Sequence, residues 1–261
     1  MKMKKYELTE TTKIRCGVIL YQIKALMDFS NIKKGDLGGW IEKEKNLSQE
    51  NNCWISGDAK VYSTAEVFGN AKVSGNAKVF GDAEVSGNAE VFGNARVYGN
   101  AEVYGNAEVY GNAKVSSNTW VYGYAWVYGN AEVFGDAKVF GDAWVFGNAK
   151  VFSDAKVFGN AWVSGDARVS GDARVYGNAR VYGNAEVFGT AEVFGNARVY
   201  GDAWVYGYAW VFGDAKVFNN AWVSNNAKVY GNAWVSGNTW VSGDAEVFGD
   251  AKVYGNAQLK K

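Results

Sequence analysis

Apolar and polar positions alternate under two regimes in this chain. From residue 57 to 259 they keep a strict period of six: Gly, Asn or Asp, Ala, a variable residue, Val, then an aromatic residue or Ser, as in GNAEVYGNAEVYGNA at 99–113. Every sixth residue from Val61 to Leu259 gives 34 positions, all Val but the last, with no insertion or deletion. The residue two before each is Ala, except Thr119 and Thr239. A spacing of two puts Ala and Val on one side of a short strand, so they form the core row. Gly with Asn or Asp tolerates a left-handed backbone and turns a corner. Each hexapeptide therefore predicts one flat side and one corner. Three such sides close a triangular coil of about 18 residues, and coils stack by parallel pairing at roughly 4.8 Å. Counting sides from Ile55 predicts roughly 11 to 12 coils and a rigid rod roughly 50 to 55 Å long.

Residues 1–52 follow no such period. Ile19, Tyr21, Ile23 and Ala25 alternate with Val18, Leu20, Gln22 and Lys24, which predicts a strand after a turn at Gly17. The three glycines of KKGDLGGW at 33–40 read as a loop. Ile41 and Leu47 are six apart and Ile55 lies six before Val61, but Leu47 to Ile55 is eight, so two extra residues sit near Gln49–Asn52. The expected organisation is a β-rich cap over 1–52 and a hexapeptide-repeat β-helix over 53–261. A cap would cover the unpaired backbone and bare core of the first coil; docking of another protein is the alternative role. At the other end, Lys260 and Lys261 put charge on the last edge, a common guard against pairing.

The phrase V-[FYS]-G-[ND]-A-x resembles the hexapeptide repeat of left-handed parallel β-helix proteins, over about four fifths of the chain. The resemblance implies an all-β solenoid of triangular coils. The departure is the residue after Val, where that family usually has Gly, Ala or an acid. Here Phe or Tyr fills 25 of the 33 positions from Tyr62 to Tyr254 and Ser the other eight. With the KKGDLGGWIE and NLS runs ahead of the repeat, the whole chain also resembles uncharacterised hexapeptide-repeat proteins of bacteria and their phages, often labelled transferase-like by the repeat alone. That implies a phage or prophage accessory protein binding a host factor as one further role.

Read in steps of one coil, the residues before Val sort into three outer columns. The first face begins with Lys60, Lys78 and Arg96, and the second with Glu66, Glu84 and Glu102. Like charges stacked about 5 Å apart call for counter-charges from outside or from adjacent rows. Two tryptophan columns follow, Trp126, Trp144, Trp162 and Trp204, Trp222, Trp240, flanked by aromatic rows such as Tyr110, Tyr128, Phe146. These nine residues are the candidate binding surface. Three readings stay open: rings stacked on one another as ladders, rings tucked partly into the corners, or a bare aromatic face that is an interface.

Composition narrows the chemistry. There is no histidine, the commonest general base near neutral pH and the commonest metal ligand. The acyltransferases of the β-helix family use a His base, and its zinc carbonic anhydrases use three His ligands. What the resemblance leaves is at most a degenerate acyltransferase. Corner acids such as Asp136, Asp142 and Asp154 are turn formers first, and GDLGGW lacks the ending of a phosphate loop. With 27 basic and 27 acidic residues, a broad nucleic-acid face is not expected. Cys16 and Cys53 are expected as reduced thiols. The start has no apolar run, so neither secretion nor a membrane partner is expected and the cytoplasm is the default. WVYGYAWVYG at 120–129 and WVYGYAWVFG at 204–213 fall on different faces and read as repeat duplication. No cofactor or metal is expected. The expected function is a non-catalytic scaffold that self-associates or binds another protein. The alternative is a rod that stacks glycans or nucleotides on its Trp rows.

Overall fold

The computed structural model describes residues 3–261; Met1 and Lys2 of the expected cap lie outside the described residues. The described residues are all β apart from one 3-10 turn, Glu44–Asn46. The chain divides into two compact units, Met1–Tyr124 and Ala125–Lys261.

In the first unit, β1 (Tyr6–Arg15) and β2 (Val18–Ala25) form an antiparallel hairpin. Its turn is Cys16 and Gly17, both at positive φ. β2 pairs antiparallel with β3 (Leu37–Ile41), and β3 pairs parallel with the strand Lys60–Val61. The glycine-rich run is therefore a loop only as far as Asp36. Gly38 and Gly39 lie inside β3 because they are packed: a Cβ on Gly38 would stand 2.5 Å from Ile23 Cγ1, and one on Gly39 2.5 Å from Ile55 Cγ2. Glycine here marks close approach of a neighbouring layer.

The two extra residues are where the period placed them. Ile41 faces Val61 and Leu47 faces Val67, each twenty residues on, whereas Ile55 faces Val73 at eighteen. Asn51 turns the added loop at φ 55. Buried Lys5 closes it from the N-terminal side, its Nζ donating to Glu50 O at 3.2 Å, Cys53 O at 2.9 Å and Cys53 Sγ at 3.2 Å. Burial lowers the Lys5 pKa against the pull of Cys53, and burial likewise raises the Cys53 thiol. Buried Asn46 ties the 3-10 turn to the next coil, donating to Ser63 O at 3.0 Å and Ala65 O at 2.8 Å.

From Lys60 on, strands of mostly two residues stack in register with the strand one coil later, as in Lys60↔Lys78 and Val61↔Val79. Three parallel sheets result in each unit. Each side has the same backbone bonds: Lys60 N donates to Ala77 O at 2.9 Å, Tyr62 N to Val79 O at 3.1 Å, and Asn76 N to Gly93 O at 2.8 Å. The Val and Ala rows from Ala59 to Val241 are fully buried. Thr119 and Thr239 take Ala positions at no polar cost, because each Oγ1 donates 2.6 Å to the carbonyl three residues back, Ser116 O and Ser236 O. No buried side-chain nitrogen or oxygen among the described residues lacks a hydrogen-bond partner.

Candidate binding surface

The residue before Val points outward, and the residue after Val sits at the entry to the corner, mostly half-buried. Parallel in-register pairing repeats each position one strand spacing away, so like rings meet face to face. Trp126, Trp144 and Trp162 stack at 4.8 and 5.0 Å between ring centroids, with planes within 10°. Trp204, Trp222 and Trp240 stack at 5.0 and 4.7 Å on the first face. Tyr128 and Phe146 stack beside the first ladder at 5.0 Å and meet it edge-on, Tyr128 with Trp144 at 6.5 Å and Phe146 with Trp162 at 6.3 Å. The rows thus interlock, each indole contacting the ring that follows Val in the coil before it. Tyr110 belongs to the first unit, where it stacks on Phe92 at 4.7 Å.

The structure brings five of the nine candidates together as one patch, the third-face Trp ladder with Tyr128 and Phe146. It places Trp204, Trp222 and Trp240 on another sheet. Their neighbours are Phe188, edge-on to Trp204 at 6.0 Å, and Tyr206, edge-on to Trp222 at 6.5 Å. The longest row in the second unit lies outside the nine candidates. Phe140, Phe158, Tyr176, Phe194, Phe212, Tyr230 and Phe248 form an unbroken stack on the second face at 4.8 to 5.5 Å. Reading the position after Val in steps of eighteen would have found it. Burial first, and then the hydrogen bond to Glu192, push the Tyr176 phenol up to about 12.

Cations end or interrupt the ladders. The Arg180 guanidinium lies 4.4 Å over Trp162, and Lys216 and Lys252 lie 4.5 and 5.0 Å over Trp234. These are cation–π contacts. Several columns pair opposite charges along the stack, as in Lys72–Glu90 at 3.1 Å, Arg168–Glu186 at 3.7 Å and Arg174–Glu192 at 3.6 Å. The acidic column is different. Glu84 stands between Glu66 and Glu102, and burial, then those two charges, raise its carboxyl pKa. At the corners, Asn side chains add a further ladder, such as Asn160 Nδ2 donating to Asn178 Oδ1 at 3.2 Å.

Stacking decides what the Trp rows offer. Each inner indole has both faces covered by neighbours, so the ladder presents ring edges to solvent. A sugar or base seeking the face of an inner Trp meets another indole there. A protein surface, which packs against edges and the apolar rims between them, fits the same row. Among the described residues no group of three or more His, Cys, Asp or Glu is placed to hold a metal ion, and both cysteines are unbridged, Cys16 exposed and Cys53 buried.

A family profile described as the YdcK beta solenoid repeat matches residues 161–177, 173–189, 191–207 and 227–243, all in the second unit. One relative, from Escherichia coli (strain K12) and named "Uncharacterized acetyltransferase YdcK", is 41% identical over 61 residues. That match covers 20% of this chain and 19% of the relative. The profile and the coil geometry agree on the architecture: this chain is a hexapeptide-repeat β-solenoid with aromatic ladders along its coils.

Proposed function

We propose that the chain is a non-catalytic scaffold that works by protein binding, with a second copy of itself as the favoured partner. The observation that carries this is the pair of Trp ladders with ring edges outward on the second unit. Aromatic edges in a flat, repeating row are self-complementary under a two-fold axis, because the same row can serve both sides of an isologous contact. Charge supports the same partner. Glu84 and Glu102 stack in the first unit next to Glu66, which Lys45 already pairs at 2.8 Å, and Arg180, Arg198 and Lys216 stack in the second. One molecule therefore carries both halves of a complementary pair.

The acetyltransferase in the relative's name is the competing reading. This chain has no histidine to act as base, so binding is the reading we prefer. No helix among the described residues is long and apolar enough to cross a membrane. With two unbridged cysteines, the cytoplasm is the compartment we assign. The test is sedimentation velocity at micromolar concentration. Dimers or larger species that dissociate partly in high salt are expected. A monomer at every concentration, or measurable acyl-CoA turnover, would contradict the proposal.

A further inference from the structure

The third-face row after Val is broken once between two stacked runs. Tyr128 and Phe146 stack, Ser164 follows, then Tyr182, Tyr200 and Phe218 resume the stack at 4.9 Å per step. Two coil steps of about 4.8 Å set the Phe146 and Tyr182 rings about 10 Å apart along the stack. One planar ring fits midway, at the spacing the ladder itself uses. The space is present as a cavity of about 220 Å³ lined by Phe146, Trp162, Ser164, Arg180, Tyr182 and Arg198. That volume suits a single small ring system and not a drug-sized ligand.

The charge beside the gap is distinctive. Arg180 and Arg198 are adjacent in register, followed by Lys216. None of the three makes an ion pair with a carboxylate, unlike Arg168 and Arg174, which pair with Glu186 and Glu192. Two stacked guanidiniums repel, and an anion lying between them relieves that repulsion while accepting their hydrogen bonds. Arg180 is held in place over Trp162 at 4.4 Å. A comparable break exists at Ser170, between the Phe134–Phe152 stack and the Phe188–Tyr206 stack. There the neighbouring cations are already matched, Lys150 to Glu132 at 3.6 Å and Arg168 to Glu186 at 3.7 Å. The first-face break thus lacks one ring of its row, as at Ser164, but its neighbouring cations are paired.

We infer that the break at Ser164 is a binding slot for a small planar aromatic anion. The ring stacks between Phe146 and Tyr182 in the place of the missing rung, and its carboxylate, sulfonate or phosphate lies on Arg180 and Arg198. The slot belongs to one copy of the chain and does not depend on self-association.

The test uses 1-naphthalenesulfonate and its uncharged sulfonamide as probes, titrated against the full chain with tryptophan fluorescence and calorimetry. Wild type is expected to bind the sulfonate, and the sulfonamide about tenfold more weakly. Ser164→Phe supplies the missing ring and is expected to weaken sulfonate binding by about tenfold or more, with a melting temperature no lower than wild type. Ser170→Phe is expected to leave binding unchanged, and Arg198→Gln to weaken it about tenfold. The proposal is overturned if wild type does not bind, if Ser164→Phe binds as well as wild type, if Ser170→Phe loses as much, or if the sulfonamide binds as tightly as the sulfonate.

Discussion

At the scale of the residue, glycine sets the corners for two separate reasons. Gly171 has φ +66, and a Cβ built on it would stand 2.9 Å from both N and O of Gly189 in the next coil. Backbone conformation and stacking of corner on corner therefore both disfavour a side chain at Gly171, although Ser63, Ser117, Ser153, Asn219 and Asn225 hold the same corner position at positive φ. Gly171→Ala is expected to lower stability by about 1–3 kcal/mol, read as a shift in the urea midpoint; no shift would mean that the corner relaxes freely. The Asp58 carboxylate is a second case. It accepts from Lys13 Nζ of the hairpin and from Lys60 Nζ at 3.0 Å, which holds its pKa at about 2. A carboxyl held below its ordinary value stabilises the fold above the ordinary range, and that contribution is lost as pH falls from about 4 to about 2. The side chain is 47% exposed, so solvent screening limits the effect to about 1 kcal/mol at most. The stability difference between wild type and Asp58→Asn is expected to shrink over that pH range. A difference that stays constant would show that the two lysines do not set the carboxyl.

At the scale of the element, the strands are too short to stand alone, and the rows along the stack hold them in register. The Val and Ala rows supply burial and the aromatic rows supply stacking. Filling a break should therefore stabilise the coil it lies in. Ser170→Phe is expected to raise stability by about 0.5–1.5 kcal/mol by joining Phe152 to Phe188, seen as a higher melting temperature; a lower one would show that the corner has no room for the ring. Much of this level was legible in the sequence. The period gave the core rows, the columns and the two extra residues near Asn51. β1 was not legible, because TETTKIR is polar on both sides and the strand buries little beyond Tyr6. β3 departs from the loop that its glycines predict, because Gly38 and Gly39 answer to the packing of Ile23 and Ile55, distant in sequence. For the aromatic rows, periodicity says which rings share a column. Their tilt and stacking follow from three-dimensional register.

At the scale of the whole molecule, the chain carries equal numbers of acidic and basic residues but does not mix them evenly. The first unit holds a basic column, Lys60, Lys78 and Arg96, as well as an acidic one, the second holds the run Arg180, Arg198 and Lys216, and the Trp ladders lie in the second unit alone. The central claim is that these ladders hold a binding surface and not only a stack. Substitution can separate the two, because the chain itself shows arginine following tryptophan in a ladder, with Arg180 lying on Trp162. Trp144→Arg together with Trp222→Arg should keep the coils and remove the apolar edges. The deciding measurement is sedimentation velocity of this double variant beside wild type, with circular dichroism as the check on folding. The account predicts an associated wild type and a folded, monomeric variant. A folded variant that associates as wild type does, or a wild type that is itself monomeric, would contradict it.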